Sequence, residues 1–319
     1  MRLAAIVPAT DEPETLPACL AAIRAAADPP EELIVLRGPC GAGPAAARNA
    51  GAREASAEVL VFIDADVEVD PDVFTRLRRT FGEDPELVAV FGSYDDRPSA
   101  PGAVSAFRNL LHHHVHTSSP GPATTFWAGL GAIRRKPFLE VGGFDEARFG
   151  VPSIEDIELG MRLAAAGARI RLDPELRGTH AKAWTLREMV RTDLLRRGVP
   201  WVRVLLERRS GGTSLNLGWR HRSSAAVSVL ALVALGRRKP AAFGGSLLAL
   251  VLLNRSFYAL LVRRRGAREA GLGVALHALH HLTGVAAIPV GTLAYLLERR
   301  RGVRRRTRRA DRRTTRAEP

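Results

Sequence analysis

The sequence predicts an α/β fold, in which a mostly parallel sheet carries helices on both faces, followed by a helical, membrane-associated C-terminal region. Short apolar runs alternate with helix-like segments over the first half of the chain, and these runs are apolar throughout rather than at every second position. Such runs are typical of parallel strands that are buried on both faces. After about residue 202, long apolar segments flanked by arginines replace this alternation, and they predict the second region.

The elements of the first region follow in a regular order. The predicted strands are RLAAIVPA at 2–9, ELIVLR at 32–37, EVLVFID at 58–64, ELVAVFG at 86–92, TFWAGLGAIRR at 125–135, ARIRLD at 168–173 and RGTHA at 177–181. The predicted helices are 14–27, 44–56, 72–81, 153–166 and 186–197. Residues 99–122 are less regular and predict a loop with a short helix.

Three apolar runs make up the C-terminal region, at 223–236, 240–253 and 270–297. The last, with 28 residues, is long enough to span a bilayer. The second could continue to residue 262, but Arg255 counts against an uninterrupted span there. We therefore predict membrane spans near 240–253 and 272–297, with a soluble helical bundle as the alternative.

The charge of the chain divides at the same place as its hydropathy. The 319 residues carry a formal net charge of +14. Residues 1–202 hold 23 Lys and Arg against 28 Asp and Glu, a net of −5, whereas residues 203–319 hold 24 against 5, a net of +19. We expect the basic region to meet anionic membrane lipids on the cytoplasmic side, and we expect no specific nucleic acid partner.

These patterns predict three parts: an α/β domain at 1–202, a helical membrane-associated region at 203–298 and a disordered, Arg-rich cytoplasmic tail at 299–319. Two cysteines, Cys19 and Cys40, are too few for a disulfide framework or a cysteine metal site. They predict a reducing compartment.

Two carboxylates directly follow the third predicted strand, at Asp64 and Asp66. Side chains alternate along an extended chain, so both point to one side, where their charges repel unless they share a cation. Oxygen ligands suit Mg²⁺ or Mn²⁺, which can also bind a substrate diphosphate. A solvated loop is the alternative. Asp70 and Asp72 fit the start of the next helix.

A second acidic group opens the helix predicted at 153–166. Ser153 and Asp156 have the spacing of a capping box, so a purely structural helix start is one explanation. However, Glu155, Asp156 and Glu158 place three acids in one turn, and a cap needs only one. A carboxylate here is also a candidate general base.

Several stretches together resemble family 2 glycosyltransferases with the GT-A fold. They are, in order, IVPATDEPETLPACLAAI, GPAAARNAGAREASAEVLVFIDADVEVDPD, GGFDE and IEDIELGMRLAAAGARI, and the resemblance covers roughly residues 2–200. It implies that the first part is a catalytic domain that binds a nucleotide-diphosphate sugar with a divalent cation and transfers the sugar with inversion.

The resemblance also implies roles for individual residues. Asp66 matches the acid that binds the metal, Asp64 the acid nearer the ribose or the metal, and His180 a histidine that completes the metal shell. The donor-binding positions implied are Pro8, Ala9, Thr10, Asp11, Glu12, Arg48, Asn49, Asp64 and Ala65. For Arg48, capping or packing in an alanine-rich helix is the alternative to contact with the diphosphate.

The remaining implied positions concern catalysis and the acceptor. Asp156 matches the general base, with Glu155 as the second choice. Trp127 and Gly129 match the acceptor side, where core packing is the alternative. The histidines of 112–116 receive no role.

One departure from the family pattern affects the donor. After the second strand the family has an acid that reads the nucleobase, whereas this chain has LRGPCGAG, with Arg37 and Gly38 at that place. The resemblance therefore leaves the nucleobase open.

The expectation from the sequence is an inverting glycosyltransferase at the inner (plasma) membrane, with its catalytic domain in the cytoplasm and a lipid-linked, glycan or otherwise membrane-proximal acceptor. Two other functions stay open. One is a non-catalytic, membrane-bound scaffold that binds sugar nucleotides, and the other is a metal-dependent nucleotidyltransferase.

Overall fold

The structure is a computed structural model that describes residues 1–38, 43–208 and 218–314, with the backbone alone for 301–314. An eight-stranded mixed sheet carries helices on both faces and is followed by long helices. The α/β prediction is confirmed. Two cysteines were expected to form no disulfide. Cys19 is free and buried, and Cys40 lies outside the described residues.

The strands are β1 (Leu3–Pro8), β2 (Glu32–Leu36), β3 (Val59–Ile63), β4 (Val67–Val69), β5 (Leu87–Tyr94), β6 (Gly121–Ala123), β7 (Leu130–Arg134) and β8 (Arg169–His180). The helices are α1 (Leu16–Ala25), α2 (Gly43–Glu54), α3 (Val73–Glu83), α4 (Ala103–Thr117), α5 (Arg135–Glu140), α6 (Glu155–Ala165), α7 (Leu186–Arg191), α8 (Val199–Arg208), α9 (Trp219–Gly236), α10 (Pro240–Leu253) and α11 (Arg255–Thr314). A π-helical segment, Thr192–Gly198, joins α7 to α8.

Strand β3 shows why the sheet is buried on both faces. All five of its residues are fully buried. Val59, Val61 and Ile63 face the core under α1 and α3, while Leu60 and Phe62 face the core under α2 and α6. The uninterrupted apolar run is thus explained by two cores that share one strand.

The sheet order is β2-β1-β3-β7-β5-β8-β4, with β6 beside β8. β1 is parallel to β2 and β3, and β5 is parallel to β8. β7 lies between β3 and β5 and is antiparallel to both, which the expectation of a mostly parallel sheet did not include. Because β7 runs backwards, the residues that precede it lie at the carboxyl end of β3, with Leu130 opposite Ile63.

Some elements differ from their predicted lengths. The irregular segment at 99–122 contains the 15-residue helix α4, and the two short strands predicted at 168–173 and 177–181 are one 12-residue strand, β8. The predicted domain boundary after residue 202 falls inside α8. The tail predicted to be disordered is helical over its described backbone to Thr314, in keeping with the good helix propensity of arginine, and 315–319 lie outside the described residues.

The C-terminal helices pack on one another and on the α/β domain. Residues of α4 and α11, among them Phe107, Leu110, Phe257 and Leu261, share one buried cluster. Helix α11 is interrupted at Gly266, whose φ of 81° lies in the left-handed region.

One segment of the described chain, Arg255–Arg300, is long and apolar enough to cross a membrane, and 39% of its most apolar window is buried by protein. The predicted span at 272–297 lies inside it. The span predicted at 240–253 corresponds to α10, whose 14 residues measure about 21 Å, short of a bilayer core. Length and composition are thus weak support for a membrane segment.

Candidate active site

The predicted site residues meet at the carboxyl end of β1 and β3, where open α/β sheets bind their ligands. Asp64 follows β3 directly, and its backbone N–H donates to the carbonyl oxygen of Gly129 at 3.0 Å. The backbone N–H of Ala128, the residue before Gly129, donates to Oδ2 of Asp156 at 3.1 Å. Two adjacent residues before β7 therefore hold the strand-end acid and the candidate base.

Asp64 is paired with a buried cation. Nη2 of Arg48 lies 2.5 Å from Asp64 Oδ1, and Nη1 of the same guanidinium lies 2.9 Å from Glu155 Oε1. Burial raises the pKa of Asp64 above its ordinary value, and Arg48 opposes that rise. Arg48 thus joins the end of β3 to the start of α6, and Asp64 is the weaker of the two predicted aspartate ligands because one of its oxygens is used.

Glu155 is committed to the same pair. Its Oε1 accepts from Arg48 and its Oε2 accepts from the backbone N–H of Ser153 at 2.8 Å, and the side chain is buried. Asp156, in contrast, has no Lys, Arg or His nitrogen within 4.0 Å among the described residues. The geometry therefore favours Asp156 over Glu155 as the base.

Asp66 has a free oxygen. Its Oδ2 lies 3.6 Å from His180 Nε2, whereas its Oδ1 is buried without a hydrogen-bond partner among the described residues. Burial acts to raise the pKa of Asp66, but His180 and the nearby Lys182 outweigh it, so the pKa lies below the ordinary value. Asp66 is therefore ionised and presents an unsatisfied oxygen, as a metal ligand does.

The pairing of β4 with β8 brings His180 to this place. His180 lies opposite Val67 in the ladder, and the backbone N–H of Ala181 donates to the carbonyl oxygen of Asp66 at 2.8 Å. The imidazole stacks on the ring of Tyr94 with centroids 4.0 Å apart, which fixes its orientation.

Asp66 and His180 fit two positions in the shell of a divalent cation. In the parts of the chain that the structure covers, no three His, Cys, Asp or Glu side chains form a complete cage. Mg²⁺ and Mn²⁺ sites commonly take their remaining ligands from substrate phosphates and water. The residues present therefore fit a cation that arrives with a diphosphate.

Asp156 lies in the first turn of α6. Its Oδ1 accepts from the N–H of Ile157 at 2.8 Å, in addition to the bond from Ala128. Burial, followed by the charge of Glu155, raises the pKa of Asp156 to about 6. The capping-box alternative is not observed, because Ile154 occupies the N-cap and the Ser153 hydroxyl donates to the carbonyl oxygen of Arg196 at 2.6 Å.

The predicted acceptor-side residues shape the floor of the site. The indole of Trp127 packs edge-on against Tyr94, with centroids 4.9 Å apart. A Cβ at Gly129 would lie 2.4 Å from that indole, so only glycine fits beside it. The contacts of the Trp127 side chain are thus largely those of core packing. The absence of a side chain at Gly129 allows the backbone there to approach Asp64.

The predicted donor-binding positions differ in how far they are exposed to a ligand. Along the loop after β1, Ala9 is buried, Pro8 and Thr10 are half-buried, and Asp11 and Glu12 are exposed. The Ala65 side chain is buried in the core, so only its backbone is available to a ligand. The side-chain amide of Asn49 makes hydrogen bonds to the backbone of Phe144 at 2.8 and 2.9 Å, so this residue holds the GGFDE turn.

Sequence reasoning missed the double role of Arg48 and the stacking of Tyr94 under His180. The position of Arg48 among alanines in α2 was the available signal, because an arginine that is buried needs paired acids. For Tyr94 the sequence held no such signal.

Comparisons with known proteins concern the family and the fold. The model of the family described as "Glycosyl transferase family 2" matches residues 18–142. A pre-mycofactocin glycosyltransferase of Mycobacterium tuberculosis is 29% identical over 165 residues, which cover 50% of this chain and 34% of that protein. The O-antigen biosynthesis protein RfbC of Myxococcus xanthus is 31% identical over 152 residues, covering 42% and 12%.

The chain thus spans about a third or less of the length of these relatives. A solved mannosyltransferase from Pyrobaculum calidifontis, in complex with GDP-Man and Mn²⁺, superposes with a TM-score of 0.53 at 17% identity and covers 93% of this chain and 87% of that one. This likeness concerns the fold. Residues 18–142 thus match glycosyl transferase family 2, and the α/β fold is similar to that of a solved GT-A glycosyltransferase.

Proposed function

We propose that this chain is an inverting glycosyltransferase that moves a sugar from a nucleotide-diphosphate sugar to a hydroxyl acceptor, with Asp156 as the general base. The observation that carries the proposal is the pair of adjacent residues before β7, Ala128 and Gly129. Ala128 holds the carboxylate with the raised pKa, and the carbonyl of Gly129 holds the strand-end acid. A base and a diphosphate site joined by one short loop suit a transfer between two bound substrates.

In this proposal Asp156 accepts the proton of the acceptor hydroxyl while that oxygen attacks the anomeric carbon. The hydroxyl lies on the side of the sugar opposite the leaving diphosphate, so a single displacement inverts the configuration. A pKa of about 6 keeps the carboxylate ionised at neutral pH and close enough to that pH for efficient proton transfer. Arg48 keeps Asp64 and Glu155 in place without a direct role in proton transfer.

Asp66 and His180 would hold the divalent cation, with the Asp64 oxygen that Arg48 leaves free as a further ligand or ribose contact. The cation, when bound, neutralises charge on the departing diphosphate. Mn²⁺ and GDP-Man in the Pyrobaculum structure support a divalent ion and a nucleotide-sugar donor. The nucleobase stays open, because Arg37 follows β2 where an acid was expected and lies 3.7 Å from Glu12.

The acceptor and location are also proposals. The apolar stretch Arg255–Arg300 and the net charge of +19 after residue 202 support a chain held at the cytoplasmic face of the inner (plasma) membrane. A domain held there reaches lipid-linked or other membrane-proximal acceptors most readily.

The test is a screen of nucleotide sugars on detergent-solubilised full-length protein with Mn²⁺, with release of nucleoside diphosphate as the readout. We expect Asp156→Asn to lower turnover by about 10²–10⁴-fold, and Asp66→Ala to abolish the metal-dependent rate. Glu83→Gln, an exposed acid at the end of α3, is the matched control and should turn over normally.

Near-normal turnover in Asp156→Asn would show that Asp156 is not the general base. Donor binding without any turnover in the wild type would instead favour the non-catalytic scaffold. Release of pyrophosphate from a nucleoside triphosphate supplied together with a sugar phosphate would favour the nucleotidyltransferase.

A further inference from the structure

A cavity of about 430 Å³ lies between the α/β domain and the C-terminal helices. Tyr94 and His180 form the wall that it shares with the candidate active site. The opposite wall comes from α9 and α11, through residues such as His221 and His281. The cavity therefore joins the diphosphate end of the sheet to the helices that carry the apolar surface.

The lining of this cavity is strongly one-sided in charge. Arg108, Arg197 and Arg220 line it together with eight histidines, and no Asp or Glu belongs to the lining among the residues described. Arg108 is compensated by Asp193 at 2.8 Å. Arg197 and Arg220 are exposed at the rim of the cavity and have no carboxylate within 4.0 Å in the described part of the chain, so a ligand that enters can pair with them.

Several buried polar atoms of the lining also lack partners. Among the described residues, Nε2 of His112, Nε1 of Trp184 and Nδ1 of His281 are buried and make no hydrogen bond. His281 as a whole is 3% exposed. Buried polar atoms are nearly always hydrogen-bonded, so three unsatisfied atoms around one cavity indicate a polar ligand.

The surroundings of the cavity indicate how that ligand is attached. Helices α9 and α11 expose large apolar side chains on their outer faces, including Leu230, Leu232, Ile288 and Leu293. A set of exposed apolar side chains of this size is typical of contact with a membrane. A lipid anion that enters the cavity from the side of α9 and α11 would place its acyl or isoprenoid chain against these apolar side chains.

We propose that this cavity binds the phosphate or diphosphate group of the acceptor, with Arg197 and Arg220 as its counter-ions. The acceptor is then a phosphate-bearing molecule whose hydroxyl reaches Asp156 past Tyr94 and His180. The identification of the ligand as the acceptor rests on the proposed function, whereas the existence of an anion site in the cavity does not. A lipid phosphate and a water-soluble phosphate share this chemistry, and the experiment separates them.

Binding is measured by calorimetry on full-length protein in a neutral detergent, with three probes: dioctanoyl phosphatidic acid, dioctanoylglycerol and inorganic phosphate. The first two differ by the phosphate alone. We expect the phosphatidic acid to bind at least tenfold more tightly than dioctanoylglycerol. The double variant Arg197→Gln, Arg220→Gln should weaken its binding about tenfold or more, since each loses a charge-assisted contact.

The matched control is Arg53→Gln with Arg237→Gln, which removes two exposed charges away from the cavity and should bind as the wild type does. Inorganic phosphate bound as tightly as the phosphatidic acid, with the same loss in the double variant, would support the anion site and identify a soluble phosphate as its source. Equal binding of both lipids, or equal loss in both double variants, would overturn the proposal.

Nucleoside diphosphate release is measured in parallel, with a nucleotide sugar as the donor and a polar lipid extract as the source of acceptor. Absence of that reaction in the wild type contradicts the proposed function, while phosphatidic acid binding still reports on the cavity. The two failures are therefore distinguishable.

Discussion

At the scale of single residues, the two aspartates at the end of β3 have different surroundings although they look equivalent in the sequence. Asp64 is paired with Arg48, whereas Asp66 keeps an unsatisfied buried oxygen beside His180. A buried carboxylate oxygen without a partner is costly unless a ligand satisfies it. The metal role therefore falls to Asp66 first, and Asp64 acts through its remaining oxygen.

The raised pKa of Asp156 predicts how the rate depends on pH. A general base acts when it is deprotonated, so kcat/KM should rise with pH through about 6 and level off above it. Initial rates of nucleoside diphosphate release between pH 5 and 8 check this. A rate that stays constant across that range would show that Asp156 does not titrate in the rate-limiting step.

Arg48 should matter for stability as much as for the site. Arg48→Met removes the only described cation in contact with the buried Glu155 and the half-buried Asp64, and breaking a buried pair such as Arg48–Glu155 costs about 3–5 kcal/mol. Urea unfolding of full-length protein in detergent measures the loss. Arg53→Met, exposed on the same helix, is the control, and an equal effect of both substitutions would contradict the pairing.

At the scale of elements, the reversed strand β7 is the decisive one. It brings Ala128 and Gly129 to the carboxyl end of β3, where their backbones hold Asp156 and Asp64. A parallel strand at this position would present its other end to the site.

Helix α6 must approach this loop closely to deliver Asp156. A Cβ at Gly160 would lie 2.2 Å from the backbone nitrogen of Phe126, so Gly160→Ala has to displace the helix or the loop. We expect a loss of about 1–3 kcal/mol in unfolding free energy, together with reduced turnover. Thermal unfolding followed by circular dichroism, with the transfer assay, tests both effects.

Gly82 in α3 is the matched position, because its Cβ would meet nothing within 4 Å. Gly82→Ala should leave the stability unchanged or raise it by up to about 1 kcal/mol. If both alanine substitutions behave alike, the close approach of α6 is not a constraint.

At the scale of the whole molecule, the C-terminal helices contain the candidate membrane-spanning segment and also form one wall of the cavity. Their buried side packs against α4, and their outer side is apolar. The α/β domain and the helices therefore depend on each other at the place where an acceptor would enter.

This arrangement predicts how the chain is held at the membrane. If α11 is inserted, membrane-bound protein should stay in the pellet in 1 M salt, which screens surface charges within about 3 Å. A variant that ends at residue 300 lacks most of the Arg-rich tail and should remain bound as well. Release of the full chain by salt would show that the charges alone hold it.

The sequence by itself determined the alternation of strands and helices, the acids at the end of β3, the acidic first turn of α6 and the resemblance to family 2 glycosyltransferases. Two of these inferences, the fold class and the family, are confirmed by the structure and the comparisons. They were accessible because hydrophobic period and motif spacing are local properties of the chain.

Only the tertiary structure decided which acids are paired and which are free. Arg48 and Glu155 are 107 residues apart, and the cavity joins His112 to His281. Such contacts depend on the direction of β7 and on the packing of α11 against α4, which no local pattern encodes. The unsatisfied oxygen of Asp66 and the arginines without carboxylate partners around the cavity are thus properties of the folded chain, because pairing is set by distance in space and not by spacing in sequence.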